Sequence, residues 1–147
     1  MTMILIVNGP NLDMLGKRDP NHYGTTTLKE LEDRLLERAD GLDIELDFFQ
    51  SNIEGELVTF INKSCSNANG IIINPAGLTK VGFSLLDACI DSHLPVVEVH
   101  LSNIQKREPW RSDSIFSRVV DATLTGMRWM GYVAALDFLA ARIKKEV

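Results

Sequence analysis

The chain has 147 residues, of which 45% are hydrophobic and 24% charged, and it carries a net charge of −5. That length suffices for one domain over residues 1–147 with its own core, and the acidic balance, with no basic-aromatic stripe against it, argues against a nucleic-acid partner. No apolar run approaches the ~20 residues that cross a bilayer, and Met1 to Val7 lacks the basic flank and cleavage site of a signal peptide, so the expected home is the cytoplasm, away from membranes.

Met3 to Val7 reads as a buried first strand running into the loop NGPNLDMLGKRDPNHYG, which carries Arg18 and Tyr23 among glycines, prolines and asparagines. A turn-rich loop of that length directly after a strand is more often a binding or catalytic loop than a connector. Leu28, Leu31, Leu35 and Leu36 then recur at helical spacing, with Thr27 and Glu30 fitting a capping box and Gly41 a stop. Ile44, Leu46 and Phe48 alternate with Glu45, Asp47 and Phe49 as a second strand. QSNIEGEL leads into a helix through Leu57, Val58, Phe60 and Ile61, its first turn holding Glu54 and Glu56, where the helix dipole favours acids.

Ile71 to Ile73 shows no alternation, as in a parallel strand buried on both faces, and halts at Asn74-Pro75. After the loop AGLTKVGF comes a helix through Leu85, Leu86, Ala88, Cys89 and Ile90. Pro95 introduces a fourth strand, Val96 to Val99, with His100 just past its end. LSNIQKREPWRSDS is polar and reads as loop, Val119 to Leu124 as a short edge strand, and Met127 to Ile143 as a final amphipathic helix. Cys65 and Cys89, too far apart for a metal cluster or redox pair, are expected to be buried free thiols.

Strand alternating with helix predicts an α/β fold: a doubly wound, parallel, five-stranded sheet in a three-layer sandwich. Such sheets bind ligands outside the carboxyl ends of the strands, where strand order reverses. The polar segments Asn8–Tyr23, Asn74–Lys80 and His100–Arg111 all follow strands, so the chemistry gathers on one edge. A phosphate loop is excluded, because six residues rather than four separate Gly9 from Gly16 and Arg18 stands where Ser or Thr would bind magnesium. The dinucleotide pattern is absent, and flavin binding is open on topology alone. Neither Ser84 nor Ser102 has the context of a hydrolase nucleophile, and His22, His93 and His100 lack metal-ligand spacing, so no metal is expected.

Taken singly, His100 is as readily a satisfied strand-end histidine as a catalytic one, Tyr23 a ring that anchors its loop, and Arg18 a solvated charge. Together they point further. A phenol ionises near pH ~10 and is a poor base at neutral pH, unless a neighbouring guanidinium favours its ionised form.

The strings NGPNLDMLGKRDPNHYG, QSNIEGEL, INPAGLT and PVVEVHLSNIQKREPWRS, in this order and spacing, closely resemble type II 3-dehydroquinate dehydratase from Ile4 to about Leu136, including Gly131-Tyr132. The resemblance implies a flavodoxin-like subunit that forms trimers and then a dodecamer. It also implies cofactor-free conversion of the small molecule 3-dehydroquinate to 3-dehydroshikimate, by anti elimination of water through an enolate, in the shikimate pathway or in quinate breakdown. Carried over, Tyr23 would take the C2 proton, with Arg18 holding it as phenolate and Asn11 orienting the water or hydroxyl that shares the enolate charge. His100 would be the general acid, oriented by Glu98. Asn74, Leu101, Ser102 and Arg111 would hold the substrate's carboxylate and hydroxyls, and Asp87 would reach a neighbouring subunit's site.

The chain departs from the family pattern at INPAGLTK, which places Leu78 and Lys80 where a tyrosine and a histidine are usual, and at Ser112-Asp113. Lys80 can still donate to a substrate hydroxyl but cannot accept as imidazole does. The implied chemistry survives, with substrate affinity or preference shifted. The competing reading is a non-catalytic module that binds a polyol acid in the same pocket.

Overall fold

The computed structural model describes residues 1–147. In chain order the elements are β1 (Thr2–Asn8), α1 (Pro20–Tyr23), α2 (Leu28–Leu42), β2 (Ile44–Gln50), α3 (Glu54–Ser64), β3 (Gly70–Asn74), α4 (Phe83–Asp91), β4 (Val96–His100), α5 (Pro109–Ser112), β5 (Ala122–Thr125) and α6 (Met130–Ile143). The five strands are all parallel in the order β2-β1-β3-β4-β5. This is the flavodoxin-like doubly wound arrangement, and its order reverses beside β1 and β3.

Successive strand residues face opposite sides, so the unalternating apolar runs feed two cores. Ile4, Ile6, Ile72, Val97 and Val99 meet Leu31, Leu35, Tyr132 and Leu136 from α2 and α6. Leu5, Val7, Ile71, Ile73 and Val96 meet Leu57, Ile61, Leu85 and Cys89 from α3 and α4, together with Phe116. The capping box at α2 is present: the Glu30 amide donates to Thr27 Oγ1 at 3.1 Å and the Thr27 hydroxyl donates to Glu30 Oε1 at 3.0 Å. No helix is long and apolar enough to cross a membrane.

Several boundaries differ from the sequence reading. Gly41 does not stop α2; it lies inside the helix, which Asp43 closes in left-handed backbone at φ 58°. Asp tolerates that conformation better than most residues, so no glycine is needed there. Strand β5 begins at Ala122 because Val119 and Val120 turn back to bond the Phe116 carbonyl. Helix α6 begins at Met130, after left-handed residues Gly126 and Arg128. His100 is the last residue of β4 rather than the first beyond it, paired with Thr125. The loop after β4 contains a 3-10 turn over Ile104–Lys106 and α5. Cys89 is buried, and desolvation pushes its thiol up to about 12, whereas Cys65 is only half-buried in a 3-10 turn.

Two backbone features carry the opening loop to the carboxyl edge. Parallel register sets Asn8 beside Asn74, and the Gly9 amide donates to the Asn74 carbonyl at 2.9 Å. A Cβ on Gly9 would lie 2.5 Å from the Pro75 carbonyl oxygen, so only glycine lets the loop leave β1 against β3.

Candidate active site

A cleft of about 360 Å³ opens at the carboxyl ends of β1, β3 and β4. Asn11, Arg18 and Tyr23 line it from the opening loop, Asn74 and Lys80 from the segment after β3, and His100, Leu101, Ser102, Arg107 and Arg111 from β4 and its loop. Of the residues singled out in the sequence for a direct part in one site, all meet here except Asp87, which sits on the exposed face of α4 outside this chain's cleft.

His100 and Glu98 are two apart on β4 and so share a face. Glu98 is wholly buried, and His100 Nε2 donates to its Oε2 at 2.5 Å, leaving Nδ1 as the ring nitrogen free for the cleft. Ser114 donates to the same carboxylate at 2.7 Å, Ser117 at 2.6 Å and Thr123 at 3.3 Å. Burial pushes the Glu98 carboxyl up, but the bond and charge of His100, with the Ser117 and Ser114 hydroxyls, outweigh it and hold it below the ordinary carboxylate range.

A carboxylate whose folded pKa is depressed contributes stability that is fully present above its unfolded pKa, ~4.3 for Glu, and lost as pH falls through the folded value. Glu98→Gln, which resembles the protonated form, is therefore expected to be less stable than the wild type at pH 7, with the gap narrowing below pH ~4.3. Denaturant midpoints of both proteins across that range check it. A gap that stays constant down to pH 3 would remove Glu98 from the acid limb.

Tyr23 closes the cleft from the loop. Its oxygen accepts from Arg18 Nη2 at 2.9 Å and from Arg107 Nη1 at 2.6 Å, and the Arg18 guanidinium also lies 3.8 Å from the ring centroid. Arg107 further donates to Ser102 Oγ at 3.3 Å, while its Nε is buried without a hydrogen bond. An oxygen between two cations is arranged to carry negative charge. The sequence reading did not find Arg107. The only signal was its place in a loop already assigned to this edge, and Lys106 beside it has equivalent charge but is exposed.

The cleft floor is a polar chain. Tyr132, fully buried and its phenol pushed up by desolvation, donates to Asn8 Oδ1 at 2.6 Å and accepts from Asn74 Nδ2 at 3.0 Å. The Ala76 amide donates to Asn74 Oδ1 at 3.1 Å, so what Asn74 can offer a ligand is N–H rather than its carbonyl oxygen. Asn11 is held in left-handed backbone at φ 69°, with its amide donating to Asn52 Oδ1 at 2.8 Å. Lys80 stands 3.8 Å from Asp113, and Arg111 donates to Glu108 at 2.7 Å with its guanidinium over Trp110. Leu78, the other departure noted in the sequence, is outside the cleft and packs against the α3–α4 core. Of the two departures in INPAGLTK, only Lys80 lines the cleft.

A family profile described as "Dehydroquinase class II" matches residues 2–140. The chain is 45% identical over 145 residues to 3-dehydroquinate dehydratase of Halothermothrix orenii, covering 99% of this chain and 98% of that protein. It is 44% identical to 3-dehydroquinate dehydratase of Bacillus licheniformis, covering 94% and 95%. The crystal structure of type II dehydroquinase from Propionibacterium acnes superposes with a TM-score of 0.91 at 36% identity, covering 96% of this chain and 97% of that one.

Proposed function

This chain belongs to the class II dehydroquinase family, and from that premise we propose that it is a 3-dehydroquinate dehydratase, a hydro-lyase working in the cytoplasm without a cofactor. The observation that carries this reading is the meeting in one cleft of a tyrosine oxygen held by two guanidiniums and a histidine backed by a buried carboxylate. The reaction needs a base for a C–H proton and an acid for a departing hydroxyl, and this pair can supply both.

Tyr23, as phenolate, takes the proton from C2 of 3-dehydroquinate, and the electron pair of the broken C–H bond moves into the C3 carbonyl as an enolate. Asn11 orients the water or hydroxyl that shares that charge. The enolate then re-forms the carbonyl, the C2–C1 double bond forms, and the C1–O bond breaks on the opposite face. Imidazolium His100 gives its Nδ1 proton to the departing hydroxyl, which leaves as water, while its Nε2–H stays on Glu98. Tyr23 returns its proton to solvent and His100 recovers one, so the sum is loss of one water. Asn74, Lys80, Leu101, Ser102 and Arg111 hold the substrate's carboxylate and hydroxyls, and the cleft volume suits one small ring acid.

The reaction places the protein in the shikimate route or the matching step of quinate breakdown. We also assign it to a dodecamer built from trimers, in which Asp87 serves a neighbouring cleft. Supporting this, Val81 at the cleft edge and Phe83 on α4 are 60% and 62% exposed, an apolar surface that a second copy would cover.

Purified protein given 3-dehydroquinate is expected to produce the conjugated enone of 3-dehydroshikimate, at a rate unchanged by chelator and unharmed by borohydride added with substrate. A borohydride adduct on a lysine such as Lys80 would replace the enolate route with imine chemistry. Tight binding of 3-dehydroquinate with no enone would favour the non-catalytic module.

A further inference from the structure

Arg128 lies in the turn between β5 and α6 with φ 54°, left-handed backbone that residues with a side chain avoid. Its amide donates to the Leu101 carbonyl at 3.0 Å, and two residues earlier the Gly126 amide approaches the carbonyls of His100 at 3.3 Å and Ser102 at 3.1 Å. The turn is thus tied by its backbone to the strand end that carries His100.

The side chain reaches the other way. Arg128 Nη1 donates to the Pro20 carbonyl at 2.9 Å and Nη2 to the Asn21 carbonyl at 3.1 Å. Both acceptors belong to the four-residue helix α1, and the Pro20 carbonyl also accepts from the Gly24 amide at 3.0 Å. The guanidinium is also in close contact with the residue after Tyr23: a Cβ on Gly24 would lie 2.9 Å from Arg128 Nη1. Arg128 itself is outside the main cleft and touches neither the Tyr23 oxygen nor the His100 ring.

We propose that Arg128 is a positioning residue that clasps the turn bearing Tyr23 onto the strand end bearing His100, and so sets the spacing between them. The inference rests on the reading of these two residues as base and acid. A fork of two donors on consecutive carbonyls resists both translation and rotation of α1, which a single contact would not. Preorganisation of this kind acts on the chemical step more than on binding, because small displacements of a reacting group cost rate steeply.

Arg128→Gly removes the fork while easing the left-handed backbone, so the variant is expected to fold. Hydrogen exchange in peptides covering residues 19–25 should accelerate by about tenfold or more with β3 and β4 unchanged, as for local rather than global opening. The kcat should fall by about tenfold with KM within about threefold. Arg128→Lys, a single-point donor, should recover part of both losses. Unchanged exchange over residues 19–25, or acceleration spread evenly through β3 and β4, would overturn the clasp. Because exchange is read without substrate, it decides the clasp by itself, whereas a wild-type protein without dehydratase turnover would instead remove the reading of Tyr23 and His100.

Discussion

Tyr23→Phe is expected to lower kcat by at least ~10²-fold, the lower end of what a positioned proton-transfer group contributes, while KM changes little. The ring remains to pack against the α2–α6 core, so the loop keeps its apolar anchor and loses only the oxygen. Arg107 keeps its contact with Ser102, and Arg18 is half-exposed and can take water in place of the phenol. Steady-state kinetics with 3-dehydroquinate, alongside thermal melting to show that the fold persists, measure this. Turnover equal to wild type would remove Tyr23 as the base and leave the paired arginines as a purely binding arrangement.

His100→Ala separates catalysis from charge burial. Turnover should fall by ~10²–10⁴-fold through loss of the acid. Stability should fall too, because Glu98 is wholly buried and would lose its only cationic partner. Breaking a buried pair in this way costs up to roughly 3–5 kcal/mol, and less here because three hydroxyls still donate to the carboxylate. Adding Glu98→Gln to His100→Ala removes the stranded charge, so the double variant should regain stability without regaining activity, a coupling that a double-mutant cycle of denaturant midpoints and rates reads directly. If the double variant were less stable than His100→Ala alone, the buried charge would not be the cause of the loss.

The candidate site was legible where its residues follow buried strands. Asn74 and His100 mark the ends of Ile71–Ile73 and Val96–Val99, and the long loop after Val7 announces itself by composition. Parallel strands point their carboxyl ends one way, so these segments had to share an edge. Arg107 was not legible, because the choice between it and Lys106 depends on how a 3-10 turn over Ile104–Lys106 presents successive side chains. The direction of Leu78 was not legible for a similar reason. A 3-10 turn over Ala76–Leu78 directs it against the α3–α4 core rather than into the cleft, and local composition carries no record of that choice.

Helix ends show the same division. The capping box at Thr27 could be read because it needs only residues three apart. The ends at Asp43 and around Arg128 could not, since both use left-handed backbone at non-glycine residues. At Arg128 the carbonyls of Leu101, Pro20 and Asn21 bond it in place, and those lie far away in the chain.

By itself, then, the sequence determined the alternation of strands and helices, the doubly wound sheet and the edge on which polar chemistry collects, because periodicity and chain direction are local properties. Tertiary structure alone decided which cations face the Tyr23 oxygen, which hydroxyls join His100 in favouring the ionised form of buried Glu98, and how far the opening loop stands from β4. Those depend on contacts between residues as distant as Tyr23 and Arg107, 84 positions apart, whose meeting follows from how the loops of β1 and β4 pack at the reversal of strand order.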